Sequence, residues 1–166
     1  MATSKKIIIT AAVTGATHTP SLSPYFPATP EQIIDDAVKA HEAGAAVVHI
    51  HARNPEDCKP TPDIEIMKHI VSSIKKQCNA VVCITTGGSL LMSKEQRLAP
   101  AVQLKPELAS CNAGSVNFVF ADLAAKLKNP KYDWEIPYLQ GTYDLIFSNT
   151  FAGMEYYIET MNKCDI

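Results

Sequence analysis

Apolar residues recur along the chain in two alternating patterns, short β-branched runs and stripes at helical spacing. The run Lys6 to Thr14 reads as a first buried strand. A helix follows at Thr29, the N-cap, with Pro30 at N1 and Glu31 and Gln32 near the positive end of the dipole. Ile33, Ile34, Ala37, Val38 and His41 form its apolar stripe, and Gly44 closes it. Ala46 to Ala52 reads as a second strand. A second helix starts after Thr61-Pro62 and carries Ile66, Met67, Ile70, Val71 and Ile74 on one face. Ala80 to Thr85 is nearly all apolar, as in a strand covered on both faces. Ser93-Lys94-Glu95 opens a third helix, which Pro100 is expected to interrupt or end. Glu107 to Asn112 makes a fourth strand. The order β-α-β-α-β-α-β predicts a parallel sheet with right-handed crossovers.

The remainder is less regular. Ala121 to Lys128 reads as a short helix broken at Asn129-Pro130, and Asp133 to Phe151 as an aromatic-rich excursion or hairpin. Gly153 to Lys163 regains helical spacing through Met154, Tyr157, Ile158 and Met161. No fifth strand is visible. A (β/α)₈ barrel takes about 250 residues, so 166 residues supply about half of one. The expectation is a single, incomplete β/α barrel domain over residues 1–166. Its longest loop, Gly15 to Thr29, holds Pro20, Pro24 and Pro27 with Thr17 and His18, and loops of that length are often functional.

Composition narrows the partners. Hydrophobic residues make up 46% and charged ones 19%, which suits a packed domain. With a net charge of -2 and no basic run longer than two residues, neither nucleic acid nor an anionic membrane is an expected partner. Cys58, Cys78, Cys83, Cys111 and Cys164 are odd in number and lack CxxC spacing, which fits reduced thiols in the cytoplasm and not a metal-cysteine cluster. Lys5-Lys6 before Ile7 to Val13 resembles the basic start of a signal peptide, but no small-residue cleavage site follows, so a strand is the preferred reading. No stretch approaches the length of a membrane-spanning helix.

Candidate chemistry collects at the exit ends of the strands, where α/β folds bind ligands. His49 and His51 alternate with Ile50, so both imidazoles point to one face and can share a metal such as zinc. The plainer alternative is one histidine in the core and one in solvent. Arg53 continues the same face, with a rim ion pair as its ordinary role. A catalytic zinc normally takes three protein ligands. The third candidate is His18, or a residue on a strand that this chain lacks. Thr85-Thr86-Gly87-Gly88 can offer hydroxyls and bare N–H groups to a carboxylate or phosphate, or can be a simple tight turn. It lacks both GxGxxG and GK[ST], so nucleotide binding gains nothing from it. Ser110 and Asn112 alternate toward the histidine side, or are an ordinary polar strand end.

Several of these stretches, in this order, resemble the β-keto acid cleavage enzymes, the family of 3-keto-5-aminohexanoate cleavage enzyme. They are Ile9 to Ala16, Thr29-Pro30-Glu31, and Glu42 to Ala45 leading into His49-Ile50-His51-Ala52-Arg53. Further on come Thr85 to Gly88, Arg97 to Pro100, Leu104 to Glu107 and Asn112 to Phe118. The resemblance implies a TIM barrel with a zinc ion. It also implies an exchange in which a small β-keto acid and acetyl-CoA give acetoacetate and a new acyl-CoA. By it, His49 and His51 match the zinc histidines, and Thr85, Gly88, Ser110 and Asn112 match positions around the substrate carboxylate. Thr17, Arg53, Thr86 and Gly87 join them as candidate substrate-binding residues.

Two departures qualify what the resemblance implies. Members acting on an amino-bearing keto acid carry a glutamate after Thr-Gly-Ala. Here that residue is Thr17, which predicts a neutral or differently charged substrate tail. The family's remaining zinc carboxylate, and the arginine and acidic residue tied to catalysis, lie on later strands, so the catalytic residues are expected beyond residue 166. An active transferase completed by a homo-oligomer or a second chain, an inactive fragment binding metal weakly, and an HxH metallohydrolase all remain open.

Overall fold

The structure is a computed structural model that describes residues 6–166. Four parallel strands, β1 (Thr10–Ala12), β2 (Val47–Ile50), β3 (Val81–Ile84) and β4 (Leu108–Ala109), lie side by side in sequence order. The connecting helices are α1 (Pro30–Glu42), α2 (Ile64–Gln77) and α3 (Lys94–Leu104). This is the β/α succession of a barrel, four units of the eight.

Local chemistry sets the helix boundaries. Thr29 Oγ1 accepts from Gln32 N and Gln32 Oε1 accepts from Thr29 N, a capping box that starts α1. Gly44, at φ +112°, follows the Ala43 cap. At α2 the cap is Asp63, whose carboxylate accepts from Ile66 N, and not the Thr61-Pro62 start expected from α1. Pro100 neither ends nor interrupts α3, which runs on to Leu104. The proline ring lies buried, so packing outweighs the missing N–H.

One face of the sheet carries Val48, Ile50, Val82 and Ile84, all at 0% exposure. They meet Ile33, Ala37, Met67, Ile70, Ile74 and Leu98 from the helices in a single core. Each buried aliphatic side chain contributes about 1.5–3 kcal/mol. The register Ala12↔His49↔Cys83↔Leu108 runs across the opposite face. That face is only partly covered. Leu108 is 45% exposed and Val81 and Cys83 are half-buried, so β3 is enclosed on one side rather than both.

The N-terminal run pairs over less of its length than its β-branched residues suggest. Ile7, Ile8 and Ile9 stand exposed ahead of β1, and Lys5 of the basic start lies outside the described residues. After β4, two further strands do form, contrary to expectation. β5 (Val116–Asn117) pairs antiparallel with β6 (Ile146–Phe147), apart from the main sheet. Two-residue strands are too short to show a period. Between them lie α4 (Ala121–Lys126) and α5 (Glu135–Gly141), and α5 falls where an excursion or hairpin was expected. The final helix, α6 (Phe151–Lys163), packs on α3 and places Tyr157 and Met161 in the core.

Candidate active site

Strand alternation brings the predicted histidines together. His49 and His51 share one face with ring centroids 5.2 Å apart and planes at 80°. His49 Nδ1 lies 3.4 Å from Cys83 Sγ on the adjacent strand. Burial holds both imidazoles below their ordinary pKa. For His51 the value falls to about 3, with His49 and the Arg53 charge adding to the effect of burial. Both rings are therefore neutral near pH 7. Burial also pushes the Cys83 thiol up.

The next row along this face holds His51, Thr85 and Ser110. Thr85 N donates to Ile50 O, and Ser110 N donates to Ile84 O. Thr86 is fully buried. Its N–H donates to Ser110 Oγ at 3.0 Å and its hydroxyl to Ser110 O at 2.6 Å, so Ser110 joins β3 to β4 beyond the last paired residue. Thr85 Oγ1 accepts from Gly87 N at 2.9 Å. The Gly87 N–H is thus taken by its own loop, and is not the bare donor expected of the Thr-Thr-Gly-Gly turn. A Cβ at Gly87 would meet Thr85 Oγ1 at 3.0 Å, Asn112 Nδ2 at 3.7 Å and His51 Cε1 at 3.8 Å. Side chains from three strand ends therefore converge on the face of that glycine where a side chain would stand. At Gly88, φ is +55° and a Cβ would sit 2.8 Å from Arg97 Cγ.

Arg53 forms no rim ion pair. It is 0% exposed, and its guanidinium donates to Cys58 O, Gly15 O and His18 O at 2.5–2.7 Å while lying 4.5 Å over the Phe26 ring. Burial lowers its pKa to about 10, and Nε is buried without a partner among the described residues. Arg53 thereby ties the long Gly15–Thr29 loop to the exit of β2. The loop holds Thr17 and His18 in the wall of a cleft of about 600 Å³, whose lining also includes Thr14, His51, Gly87, Gly88 and Ser89. His18 itself is exposed and stacks on Phe26 at 5.6 Å.

Two buried charges at this rim escaped the chemical reading of the sequence. Arg97 of α3 donates from Nε to Thr86 O at 2.8 Å and from its terminal nitrogens to Ser148 O and Asn149 Oδ1. Glu135 of α5 is 0% exposed and accepts from Ser21 N, Ser21 Oγ and Tyr132 N. Arg97 was visible only as part of a family-like stretch, and Glu135 carried no motif at all. Tyr138 adds a bond from its hydroxyl to Ala16 O.

Among the described residues no group of three or more His, Cys, Asp or Glu side chains could hold a metal ion. The donors present nevertheless fit part of a zinc site. Two neutral imidazoles share one face, and His51 Nδ1 is buried without a hydrogen-bond partner among the described residues. His18 lines the same cleft as His51 but makes no third member of a cluster.

Comparison with known proteins agrees with the fold. The family model for beta-keto acid cleavage enzymes matches residues 6–166. A 3,5-dioxohexanoate:acetyl-CoA acetone transferase of Paraburkholderia graminis is 50% identical over 156 residues, 94% of this chain and 50% of the relative. A 3-keto-5-aminohexanoate cleavage enzyme of Acetoanaerobium sticklandii is 44% identical over 69% of this chain and 41% of its own. The chain thus spans about half the length of the curated relatives it matches. The apo structure of ObcA superposes on 86% of this chain and 29% of its own, with a TM-score of 0.58 at 22% identity, a likeness of fold alone. The chain belongs to the beta-keto acid cleavage enzyme family.

Proposed function

We propose that this protein serves in the acetyl-CoA-dependent cleavage of a β-keto acid with an uncharged tail. In that exchange the acyl group leaves its α-carbon for the CoA sulfur. The acetyl group joins that carbon in its place, giving acetoacetate and a new acyl-CoA. The observation that carries the reading is the convergence of His51, Thr85 and Asn112 above Gly87, beside a cleft lined by no Asp, Glu, Lys or Arg among the described residues. Thr85 and Asn112 would orient the substrate carboxylate. Thr17, in the cleft wall after Thr14-Gly15-Ala16, offers no charge to an ammonium group. The relative at 50% identity is named for 3,5-dioxohexanoate, whose tail is a neutral ketone.

His49 and His51 would hold a zinc ion. Bound there, zinc supplies Lewis-acid polarisation of the substrate ketone. Their neutrality and shared face support this assignment, and a further ligand would come from outside these residues.

The test incubates the zinc-loaded chain with acetyl-CoA and either 3,5-dioxohexanoate or 3-keto-5-aminohexanoate, and follows acetoacetate and acyl-CoA by mass spectrometry. The expected result is acetoacetate only when acetyl-CoA is present, with the dioxo acid preferred. Turnover of the amino acid in preference would overturn the neutral-tail assignment. Cleavage without acetyl-CoA would instead identify a metallohydrolase. No turnover of either substrate would leave the chain a metal-binding piece without transferase activity of its own.

A further inference from the structure

The two histidines at the end of β2 differ in how their rings are held. His49 and Cys83 are register partners on the parallel strands β2 and β3. Paired residues of adjacent strands point to the same face, so the thiol stands beside the imidazole. His49 Nδ1 lies 3.4 Å from Cys83 Sγ, within hydrogen-bond distance for sulfur. Among the described residues this is the one hydrogen bond of the His49 ring, and the one polar contact of the Cys83 thiol. Both side chains are half-buried. The other register partner of His49 is Ala12 on β1, which carries no polar side-chain atom. His51 is held differently: its Nδ1 is buried with no hydrogen-bond partner among the described residues.

We infer that Cys83 is a positioning residue for His49, its sulfur accepting the Nδ1–H and so presenting Nε2 as the metal-binding nitrogen. The inference rests on the proposed zinc site. A metal-binding imidazole is neutral and carries one ring proton. The hydrogen bond made by one ring nitrogen decides which nitrogen is left for the metal. Nδ1 is occupied by β3, so Nε2 remains. The same contact fixes the rotation of the ring, so the metal need not order it on binding. With Ala12 on the other side, that task falls to Cys83.

Nitrogen NMR of the isotopically labelled, metal-free full chain at neutral pH reads the tautomer of His49, with His49→Gln identifying its signals. Calorimetric zinc titration of the same samples reads the affinity. The expected result is a His49 ring protonated at Nδ1, the opposite of the Nε2–H form that a free imidazole side chain prefers. Cys83→Val keeps a strand-forming side chain but removes the acceptor. It should return the ring towards the Nε2–H form and weaken zinc about tenfold. Cys83→Ser keeps an acceptor and should recover the Nδ1–H form and most of the affinity. An Nε2–H ring in the parent, with the thiol as donor, would overturn the inference. So would a tautomer and zinc affinity that Cys83→Val leaves unchanged, the result of a merely structural thiol. Cobalt(II) gives a further check, because a sulfur-to-cobalt charge-transfer band lost in Cys83→Ser would make Cys83 a ligand and overturn its positioning role. An Nδ1–H ring in a parent chain that takes up no zinc would support the orienting bond and overturn the zinc assignment on which its use depends.

Discussion

Glu135 carries a buried negative charge where the excursion after β4 meets the long loop before α1. Burial alone would push its pKa up. Donation from Ser21 N and Oγ and from Tyr132 N outweighs that and holds it below the ordinary carboxylate value. Because the folded value is the lower one, the carboxylate stabilises the fold above the unfolded pKa of about 4.3 and loses that contribution as pH falls through the folded value. Glu135→Gln should therefore cost about 1–3 kcal/mol at pH 7. The difference from the parent should shrink towards pH 3, as read from urea denaturation across that range. Arg53 is the complementary case. Its sequence position suggested a substrate-binding side chain, with a rim ion pair as the plainer alternative, and its guanidinium donates to three carbonyls, two of them in the loop that begins at Gly15. Its backbone place on the strand was legible; its bonding was not, because a guanidinium finds whichever acceptors the loops bring within reach.

Among the elements, the turn from β3 into α3 shapes the site most. Ser93 caps α3 through Gln96, and α3 presents Arg97 to the carbonyl of Thr86. Gly88 lies against that side chain with φ at +55°. Gly88→Ala combines a left-handed backbone with contacts of 2.8 Å to Arg97 Cγ and 2.9 Å to Met92 Sδ. The expected loss is about 2–4 kcal/mol, measured by thermal and denaturant unfolding. Gly87→Ala should be milder, since φ there is not in the left-handed region and the contact is to a threonine hydroxyl at 3.0 Å. The Thr29 cap made the start of α1 readable, and apolar stripes made α1, α2 and α6 readable as helices. α5 was missed because seven residues, with a proline among them, give too few turns for a period.

At the level of the whole molecule, four parallel strands leave both outer strands without a further partner in the sheet among the described residues. The face that carries His49 and His51 is only partly covered, and Ile7, Ile8 and Leu108 are exposed near the two edges. Open edges and uncovered apolar surface favour association. The free chain should elute above monomer size in size-exclusion chromatography with light scattering. Zinc bound in stoichiometric amount should accompany the associated form and be lost in His49→Ala and His51→Ala. A stable monomer that takes up no zinc would count against an active enzyme built from this chain alone. Among the described residues no helix is long and apolar enough to cross a membrane.

The sequence by itself determined the alternation of β1 to β4 with α1 to α3, the shared face of His49 and His51, and the gathering of Thr85, Ser110 and Asn112 at one rim. Those features follow from strand alternation, capping chemistry and right-handed crossovers, all of them local or topological rules. Tertiary structure alone decided which groups the buried charges meet, that Gly87 gives its N–H to Thr85, and that Val116–Asn117 pairs with Ile146–Phe147. Arg53 bonds a carbonyl 38 residues away and Glu135 a backbone N–H 114 residues away. No periodic signal spans such distances, because those partners meet only when loop closure and packing bring them together.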